Sequence, residues 1–542
     1  MRQLSGFAAA VAALGSALLL AACGGGGSDT GGTTTVNNSG TRGSLIYNPP
    51  LRVTSLTAGA FQSQLAASSS GQTLLALAGT PTCGVNFHYI QYGTVGGAGE
   101  TTTASGALMV PTGTSAACSG PRPILLYAHG TSTVKSYNIA NILDPTNDAY
   151  SESVLVAAEF AAQGFIVVAP NYAGYDASTL SYHPYLNASQ QSKDMIDALT
   201  AARSALTNVG TADSGKLFIT GYSQGGHVAM ATHQALQALG QTVTAAAPMS
   251  GPYAMEALGD AIYYGNVNLG STVFSPLLST SYQKAYGNIY SKLTDIYNPT
   301  YATGIDTLLP SNTPLNTIFT QGLLPQTALF SSTPPTAPAG APASLQAILN
   351  SITPPTTPAA QAPLFALGFG SSPLINNTAR LNYLLDAIAN PDGAVPSVTT
   401  GATATSPANP MRQAFKANDL RNWVPTRPVL LCGGNADPTV FFNVNTQLMK
   451  GFWTAPSPAA MPTGLLSVLD VDSAATGATD PYAALKAGFA QAKALTAAAA
   501  VSAGATDGGA SAVVQAYHGT LVPPFCTTAA RGFFQQVLAA GI

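Results

Sequence analysis

Residues 217–226 read LFITGYSQGG, and the expected architecture follows from this segment. Its first four residues form an apolar run typical of a buried strand, and a helical pattern begins close behind, from His227 through Leu239. Ser223 lies between them, flanked by Gly221 and Gly225 in the pattern G-x-S-x-G. In a chain with 54 glycines this pattern alone is weak. Its position at a strand-to-helix turn gives it weight, because such a turn exposes the serine and small neighbours relieve the crowding.

Strand-like runs alternate with helical patterns on both sides of this turn. The further runs lie at 124–127, 165–168, 242–247, 428–431 and 465–469, and a last short run lies at 512–517. Helical patterns lie at 152–163, 189–206 and 481–500, and an antiparallel pair is expected at 85–92 and 102–110. This alternation predicts the α/β class, with a mostly parallel sheet covered by helices on both faces.

A serine hydroxyl is a weak nucleophile near neutral pH, so it needs a base and the base needs an orienting acid. One histidine follows His233 in the chain, and it is His518. Asp437, which stands in a glycine-rich turn directly after the run at 428–431, is a candidate for the orienting carboxylate. Asp470 and Asp472, at the end of a later strand, are its rivals.

The segment His129-Gly130-Thr131 follows the first expected parallel strand. The backbone N–H groups of Thr131 and Gln224 are predicted to form an oxyanion hole, with the dipole of the helix after Ser223 adding to it. The ring of His129 is expected to brace its loop. His227 and His233 are six residues apart, which is not a metal-ligand spacing on a helix, and no metal site is expected. His88 and His183 belong to no recognisable constellation.

Five parts of the chain together resemble the secretory lipase branch of the α/β-hydrolase superfamily. They are the segments YAHGT at 127–131, APNYAGY at 169–175 and GYSQGGH at 221–227, with Asp437 and His518. The resemblance extends from about residue 83 to the C-terminus. It departs from the family at Asn171, where many relatives have Asp, and in the 81 positions between Asp437 and His518, which exceed the usual gap and imply an inserted Ala-rich helix.

This resemblance implies hydrolysis of carboxylic esters of lipids and similar acyl compounds. It implies a catalytic triad in the chain order Ser223, Asp437, His518, with no cofactor and a small-molecule or lipid ester as substrate. It also implies a core in two parts, 46–250 and 418–542, with a helical cap or lid inserted at 251–417. Apolar cap residues, namely Leu364, Phe365, Leu367 and Phe369, hint at an acyl site, although packing of the cap's own core is the more common role of such residues.

The N-terminus has the pattern of an export signal. Arg2 precedes an apolar stretch at 7–22 that is short for a membrane span, and the sequence LAAC at 20–23 resembles a bacterial lipoprotein lipobox. That resemblance implies a signal peptide at 1–22, lipidation of Cys23 and, because Gly24 follows, sorting to the outer membrane. An ordinary secretory signal cleaved nearby is the alternative. Residues 23–45 are predicted to be a flexible tether.

Four cysteines remain after Cys23, an even number that favours disulfides in an exported protein. Three pairings are possible. The preferred one joins Cys83 to Cys118 around the expected hairpin, and Cys432 to Cys526 beside the segments that carry Asp437 and His518.

Charged residues make up 8% of the chain and the formal net charge is -3. No basic field exists to bind nucleic acid, so membrane attachment is expected only through the N-terminal lipid. Two other functions stay open: a serine peptidase or amidase of the same fold, and a surface-anchored binding protein on a degenerate hydrolase fold. Nothing in the sequence indicates the oligomeric state.

Overall fold

A computed structural model describes residues 35–36, 40–455, 460–477 and 479–541 of the chain. The predicted signal peptide at 1–22 and the lipidation site Cys23 lie outside the described residues. Residues 40–45, which the sequence assigns to the tether, instead pack on the domain: Leu45 is buried and Arg42 forms an ion pair with Asp197 at 2.9 Å.

The strands and helices alternate as the sequence indicates over most of the chain. The strands are β1 (Thr35–Val36), β2 (Tyr47–Asn48), β3 (Leu51–Leu56), β4 (Gly84–Val95), β5 (Thr101–Thr112), β6 (Pro121–Ala128), β7 (Ile166–Pro170), β8 (Ala212–Tyr222), β9 (Ala245–Met249), β10 (Phe330–Ser331), β11 (Phe369–Gly370), β12 (Val429–Gly433) and β13 (Leu466–Asp470). The helices are α1 (Ala58–Ala66), α2 (Ser69–Ala78), α3 (Tyr150–Glu159), α4 (Ala188–Ala205), α5 (Gln224–Ala238), α6 (Met255–Tyr263), α7 (Ser271–Tyr286), α8 (Pro299–Ala302), α9 (Leu315–Thr320), α10 (Ala343–Ser351), α11 (Ala362–Leu367), α12 (Asn377–Ala389), α13 (Pro410–Ala417), α14 (Leu448–Thr454), α15 (Ala483–Ser502), α16 (Ala510–Ala516) and α17 (Val522–Ala539).

The described residues form a nine-stranded sheet in the order β13-β12-β9-β8-β6-β7-β5-β4-β3. Strands β7, β6, β8, β9, β12 and β13 are parallel, and β3, β4 and β5 extend the sheet as antiparallel strands beyond β7. The central strands are buried on both faces, which explains their unbroken apolar sequences. The predicted α/β-hydrolase fold is thereby confirmed.

Parallel pairing aligns the carboxyl ends of the central strands along one edge of the sheet. Ala128 at the end of β6 pairs with Gly221 near the end of β8, and Met249 at the end of β9 pairs with both Tyr222 and Cys432. The segments that follow β6, β8 and β12 therefore lie along the same edge of the sheet. Ligands of open α/β sheets bind outside the carboxyl ends of the strands, so a functional site is expected at this edge.

The segment 251–417 contributes no strand to the large sheet within the described residues. It contains helices α6 to α13 and the two-residue parallel pair β10–β11, and it has its own apolar core, which includes Tyr282, Tyr297, Ile318, Phe330 and Leu374. Buried Arg412 of α13 joins α6 and α12 by ion pairs to Asp260 and Asp386, both at 2.9 Å. These buried charges are paired, so the helices of this segment are held as one packed layer.

One predicted strand is wrong. The run 512–517 lies in helix α16, whose last residue is Ala516, and a π-helical turn at Tyr517–Leu521 joins α16 to α17. The Ala-rich helix expected before His518 is α15. Periodicity alone does not distinguish a strand from a helix in a run of six mostly apolar residues, and the strand prediction failed for this reason.

Candidate active site

Ser223 occupies the turn between β8 and α5 in a strained backbone conformation, with φ 60° and ψ -122°. The chain reverses so tightly here that a Cβ atom on Gly225 would lie 2.0 Å from the Ala128 carbonyl oxygen, and one on Gly221 would lie 2.4 Å from the Gly225 carbonyl oxygen. Only glycine fits at both positions. The G-x-S-x-G pattern therefore has a steric cause, and the turn holds the hydroxyl out at the carboxyl edge of the sheet.

The imidazole of His518 meets this hydroxyl, with His518 Nε2 lying 2.8 Å from Ser223 Oγ. The ring comes from the π-helical turn before α17 rather than from a strand end. Its backbone carbonyl accepts a 2.6 Å hydrogen bond from the Tyr222 hydroxyl, so the residue before the serine also positions the histidine.

Asp437 lies on the other side of the same ring. Its Oδ2 atom is 2.7 Å from His518 Nδ1, and its Oδ1 atom accepts hydrogen bonds from the backbone N–H groups of Thr439 and Val440 at 2.9 and 3.0 Å. Those two donors fix the carboxylate plane. Because they occupy Oδ1, the second oxygen is left to accept the Nδ1 proton, and Nε2 is then unprotonated and able to accept the serine proton.

The rival carboxylates Asp470 and Asp472 do not reach the imidazole. Asp470 accepts hydrogen bonds from the backbone and side chain of Asn435, and Asp472 accepts one from the Tyr517 hydroxyl at 2.7 Å. The same Tyr517 oxygen accepts the backbone N–H of Ala436. Asp472 and Tyr517 thus connect the segment that carries Asp437 to the one that carries His518.

The two expected oxyanion residues flank the serine. Gln224 is the first residue of α5, and Thr131 lies in the loop after β6. Within the described ranges, neither backbone N–H donates to a protein acceptor, so both are available to a substrate oxygen. The Thr131 hydroxyl is hydrogen-bonded to the Tyr185 hydroxyl at 3.0 Å, which holds its loop against the segment before α4.

His183, for which the sequence suggested no partner, contacts the site through Gln224. The Gln224 side-chain amide donates to His183 Nε2 at 2.7 Å, so the proton resides on Nδ1, which donates to the Ala173 carbonyl at 2.9 Å. Burial lowers the pKa of His183 to about 3, which keeps the ring neutral near pH 7. A fixed neutral tautomer therefore orients the Gln224 side chain.

Glu152 is a second residue that sequence reasoning missed. Its Oε1 atom accepts hydrogen bonds from the Gly130 backbone N–H at 3.0 Å and the Tyr127 hydroxyl at 2.7 Å, and its Oε2 atom accepts one from the Tyr137 hydroxyl at 2.9 Å. Three donors hold the carboxylate, which in turn holds the peptide before Thr131. Only the Glu's place in the first turn of a helix facing that loop could have signalled this role.

His129 braces its loop, as its position suggested. Its buried ring stacks between Tyr137 and Tyr172 with centroid distances of 4.2 and 4.1 Å. Asn171, at which the chain departs from the family that it resembles, forms two side-chain hydrogen bonds: its Oδ1 atom accepts from the Ile139 N–H and its Nδ2 atom donates to the Ser105 hydroxyl, each at 2.9 Å. An ionised aspartate at this position would have no N–H to donate to Ser105.

The side chains of the remaining three histidines are also buried. His227 is hydrogen-bonded to the Asn418 carbonyl at 2.9 Å, and His233 packs edge-on against Trp423. Burial lowers the pKa values of His88, His227 and His233 to about 4. Among the described residues, no group of His, Cys, Asp and Glu side chains could hold a metal ion.

The structure forms the disulfides Cys83–Cys118 and Cys432–Cys526. The first closes the hairpin of β4 and β5. The second joins β12, which leads into the Asp437 turn, to α17, which follows His518. Both members of the proposed acid–base pair therefore extend from one covalently cross-linked unit.

An apolar pocket of about 90 Å³ leads from Ser223 into the segment 251–417. Its lining contains no charged side chain, and its apolar members include Leu186, Met255, Ile262, Phe274, Leu278 and Phe415. The four residues singled out from the sequence are not among those that line it: Phe365 packs against Phe441 and Leu367 is 53% exposed. Most of the apolar pocket wall comes from α6, α7 and α13 instead.

Within the described part of the chain, no helix is both long and apolar enough to cross a membrane.

Comparisons with known proteins bear on the fold and the family. Residues 151–276 match the model of the prolyl oligopeptidase family, a region that includes Ser223 but not Asp437 or His518. A search of curated proteins finds no match.

Matches to solved structures cover more of the chain than the family match does. The crystal structure of the rice cell wall degrading esterase LipA from Xanthomonas oryzae is 26% identical, with a TM-score of 0.58 over 89% of this chain and 98% of that one. A putative hydrolase from Legionella pneumophila is 18% identical, with a TM-score of 0.55 over 91% of this chain and 98% of that one, a likeness that supports the fold alone. Fold and comparisons together make the chain a member of the α/β-hydrolase superfamily.

Proposed function

We propose that this chain, a serine hydrolase of the α/β fold, cleaves carboxylic esters with Ser223 as nucleophile, His518 as base and acid, and Asp437 as the orienting carboxylate. The observation that carries the proposal is the continuous hydrogen-bonded path from hydroxyl to imidazole to carboxylate, with steps of 2.8 and 2.7 Å. Three side chains that are distant in the sequence meet at this place.

The proposed reaction proceeds by acyl transfer to water. His518 Nε2 accepts the Ser223 proton as Oγ bonds to the ester carbonyl carbon, and the carbonyl oxygen becomes an oxyanion. The N–H groups of Thr131 and Gln224 donate to that oxyanion, each lowering the barrier by about 3 kcal/mol. His518 then protonates the departing alcohol oxygen, and a water deprotonated by His518 cleaves the acyl-enzyme and releases the acid. Asp437 stabilises the imidazolium in both halves.

Two observations support an ester substrate. The pocket beside Ser223 is apolar and has no charged lining residue, as suits a hydrocarbon acyl group. The chain also resembles, over almost the whole length of that protein, a structure described as an esterase.

A Ser223→Ala variant tests the proposal. Turnover of p-nitrophenyl acetate, butyrate and octanoate should fall by about 10⁵-fold or more, and labelling by a fluorophosphonate probe should disappear. Ser214→Ala, an exposed serine on the same strand β8, is the matched control and should retain both. A folded Ser223→Ala variant with parental turnover would end the proposal. Loss of probe labelling also separates an enzyme from a non-catalytic binding protein.

A serine peptidase or amidase is the second candidate, and the match of residues 151–276 to the prolyl oligopeptidase family favours it. The same nucleophile would attack an amide, whose leaving amine requires full protonation by His518. Peptidyl p-nitroanilides with proline before the scissile bond, assayed beside p-nitrophenyl esters, distinguish the two. A higher kcat/KM for the anilides would replace the ester assignment.

Export to an oxidising compartment is part of the proposal, and the two buried disulfides support it. A lipid on Cys23, with retention at the outer membrane, follows from the lipobox-like segment. Radiolabelled palmitate incorporation and membrane fractionation of the parent and of Cys23→Ser test it. Incorporation that is equal in both chains would contradict lipidation of this cysteine.

A further inference from the structure

A second cavity of about 650 Å³ also reaches Ser223 and has a largely different set of lining residues. Helices α1 and α2, the start of α3 and the residues after His518 form its walls. Ser223 and Phe274 line both cavities, so an ester bound at the serine has room on two sides.

The position of His518 decides which half of the ester occupies which cavity. His518 and the two residues after it line the larger cleft, whereas His518 is not among the described residues that line the apolar pocket. A general acid must lie within hydrogen-bonding distance of the oxygen that it protonates. If His518 protonates the departing oxygen, as the proposed function requires, the alcohol half lies in the larger cleft and the acyl half in the apolar pocket.

The chemistry of the larger cleft differs from that of the pocket. Its polar lining includes Ser68, Ser70, Thr73, Asp148, Ser151 and Thr520, and most of these side chains are exposed. Val154, Leu155, Pro523 and Pro524, all partly exposed, add apolar surface to the same cleft. Hydroxyl and carboxylate oxygens beside apolar patches suit a ligand that has both hydroxyl groups and C–H faces.

The cleft has a negative charge. Asp148 and Glu152 line it, and none of the other described residues that line it is Lys or Arg. Glu152 already accepts three hydrogen bonds, so its oxygens have little capacity left. Asp148 is exposed, and its Oδ2 atom accepts a hydrogen bond from Ser132 at 2.5 Å, which leaves Oδ1 for a ligand.

We propose that this cleft binds the alcohol half of the substrate and selects a neutral, polyhydroxylated alcohol over one that has a phosphate. Hydroxyl groups of such an alcohol donate to Asp148 and exchange hydrogen bonds with the serines and threonines of the α1–α2 hairpin. A phosphate placed there meets carboxylates without a compensating cation and is repelled.

The test uses four butyrate esters that share one acyl group: p-nitrophenyl butyrate, ethyl butyrate, 1-butyrylglycerol and 1-butyrylglycerol 3-phosphate. The quantity compared is kcat/KM, which includes departure of the alcohol. In the parent enzyme, 1-butyrylglycerol should exceed both ethyl butyrate and the phosphate ester by about tenfold, the factor that corresponds to one additional hydrogen bond or one repulsion. Rising salt should narrow the gap to the phosphate ester.

Asp148→Asn removes the charge and retains an acceptor for Ser132. It should raise the ratio of phosphate ester to 1-butyrylglycerol by about tenfold. Asp213→Asn, a surface carboxylate paired with Arg203, is the control and should leave that ratio unchanged. Equal rates for the two glycerol esters in the parent, or equal ratios in parent and Asp148→Asn, would overturn the cleft assignment. Failure of the parent to cleave even p-nitrophenyl butyrate would instead overturn the ester hydrolase function itself.

Discussion

The backbone N–H of Gly130 donates a 3.0 Å hydrogen bond to the carboxylate of Glu152, which α3 brings to the loop after β6. The next residue is Thr131, whose N–H is the proposed oxyanion donor. Glu152 touches no reacting atom in this arrangement. It is a positioning residue, since it sets where the Thr131 peptide points.

Replacing Glu152 with Gln should therefore lower kcat and leave KM nearly unchanged. The amide of Gln is uncharged, so the hydrogen bonds that its oxygen accepts from Gly130 and Tyr127 are weaker than those to the carboxylate, and its amide nitrogen can no longer accept from Tyr137; the loop is held less firmly. A misplaced oxyanion donor lowers kcat by about 10–100-fold. Steady-state kinetics with p-nitrophenyl butyrate measure kcat and KM separately for each variant. Tyr137→Phe, which removes one donor and leaves Gly130 bonded, should have a smaller effect; a rise in KM alone would contradict the positioning role.

Asp437→Asn should lower kcat by about 10⁴-fold with the protein still folded. The N–H groups of Thr439 and Val440 retain the side-chain oxygen of Asn, so its amide nitrogen faces His518 Nδ1. Nδ1 must then accept a proton rather than donate one, which places the ring proton on Nε2, where it cannot receive the serine proton.

The rival carboxylates provide matched controls for this variant. Asp470→Asn and Asp472→Asn should each retain most of the activity, because neither side chain contacts the imidazole. The three variants are compared by kcat on one ester, with circular dichroism to check folding. A larger loss in Asp472→Asn than in Asp437→Asn would exchange their assignments.

The site residues that could be located from the sequence were identified either by a local sequence pattern or because few residues of their type are present. Ser223 lies in a turn whose glycines are sterically required, and His518 is the last histidine of the chain. The strand ends that carry Thr131 and Asp437 can be read from apolar runs. Parallel pairing then brings them together without any knowledge of side-chain positions.

The sequence did not indicate the roles of Glu152 and His183, because these roles depend on where the fold places the two side chains. Glu152 reaches a peptide 22 positions earlier and His183 reaches a side chain 41 positions later, and neither residue type stands out in a motif. The residues of the pocket wall could not be identified from the sequence for a similar reason. Apolar side chains on α7 and on α11 look alike in sequence, and only the packing of the fold shows that Leu278 lines the apolar pocket while Leu367 is exposed to solvent.

Stability should depend on pH through Glu159, a fully buried carboxyl on α3 beside Arg531 and Thr528. Burial raises the pKa of Glu159 to about 7, although Arg531 and Thr528 offset part of the effect. The folded protein therefore binds a proton that the unfolded chain has released between about pH 4.5 and pH 7. This contribution favours the folded state at low pH and is lost as the pH rises through that window.

Glu159→Gln resembles the protonated form and should become more stable relative to the parent as the pH rises, by about 3 kcal/mol between pH 4 and pH 8. Urea unfolding of both proteins at the two pH values measures the change, with Asp213→Asn as a surface control. A difference in unfolding free energy that stays constant from pH 4 to pH 8 would show that Glu159 does not titrate in this range.

Ser275 lines the apolar pocket from α7, close to Phe274 and Leu278, and its side chain is small. Ser275→Trp should fill the passage beyond Ser223, so that kcat/KM for p-nitrophenyl octanoate falls about 100-fold while that for the acetate stays within about threefold. A 100-fold loss corresponds to about 2.7 kcal/mol, the burial of roughly three methylenes of the octanoyl chain. Lys284→Trp places the same bulk on an exposed position of the same helix and should leave both esters unaffected. If octanoate and acetate decline together in Ser275→Trp, the acyl chain does not enter this pocket, because a blocked pocket discriminates by chain length whereas a disturbed triad does not.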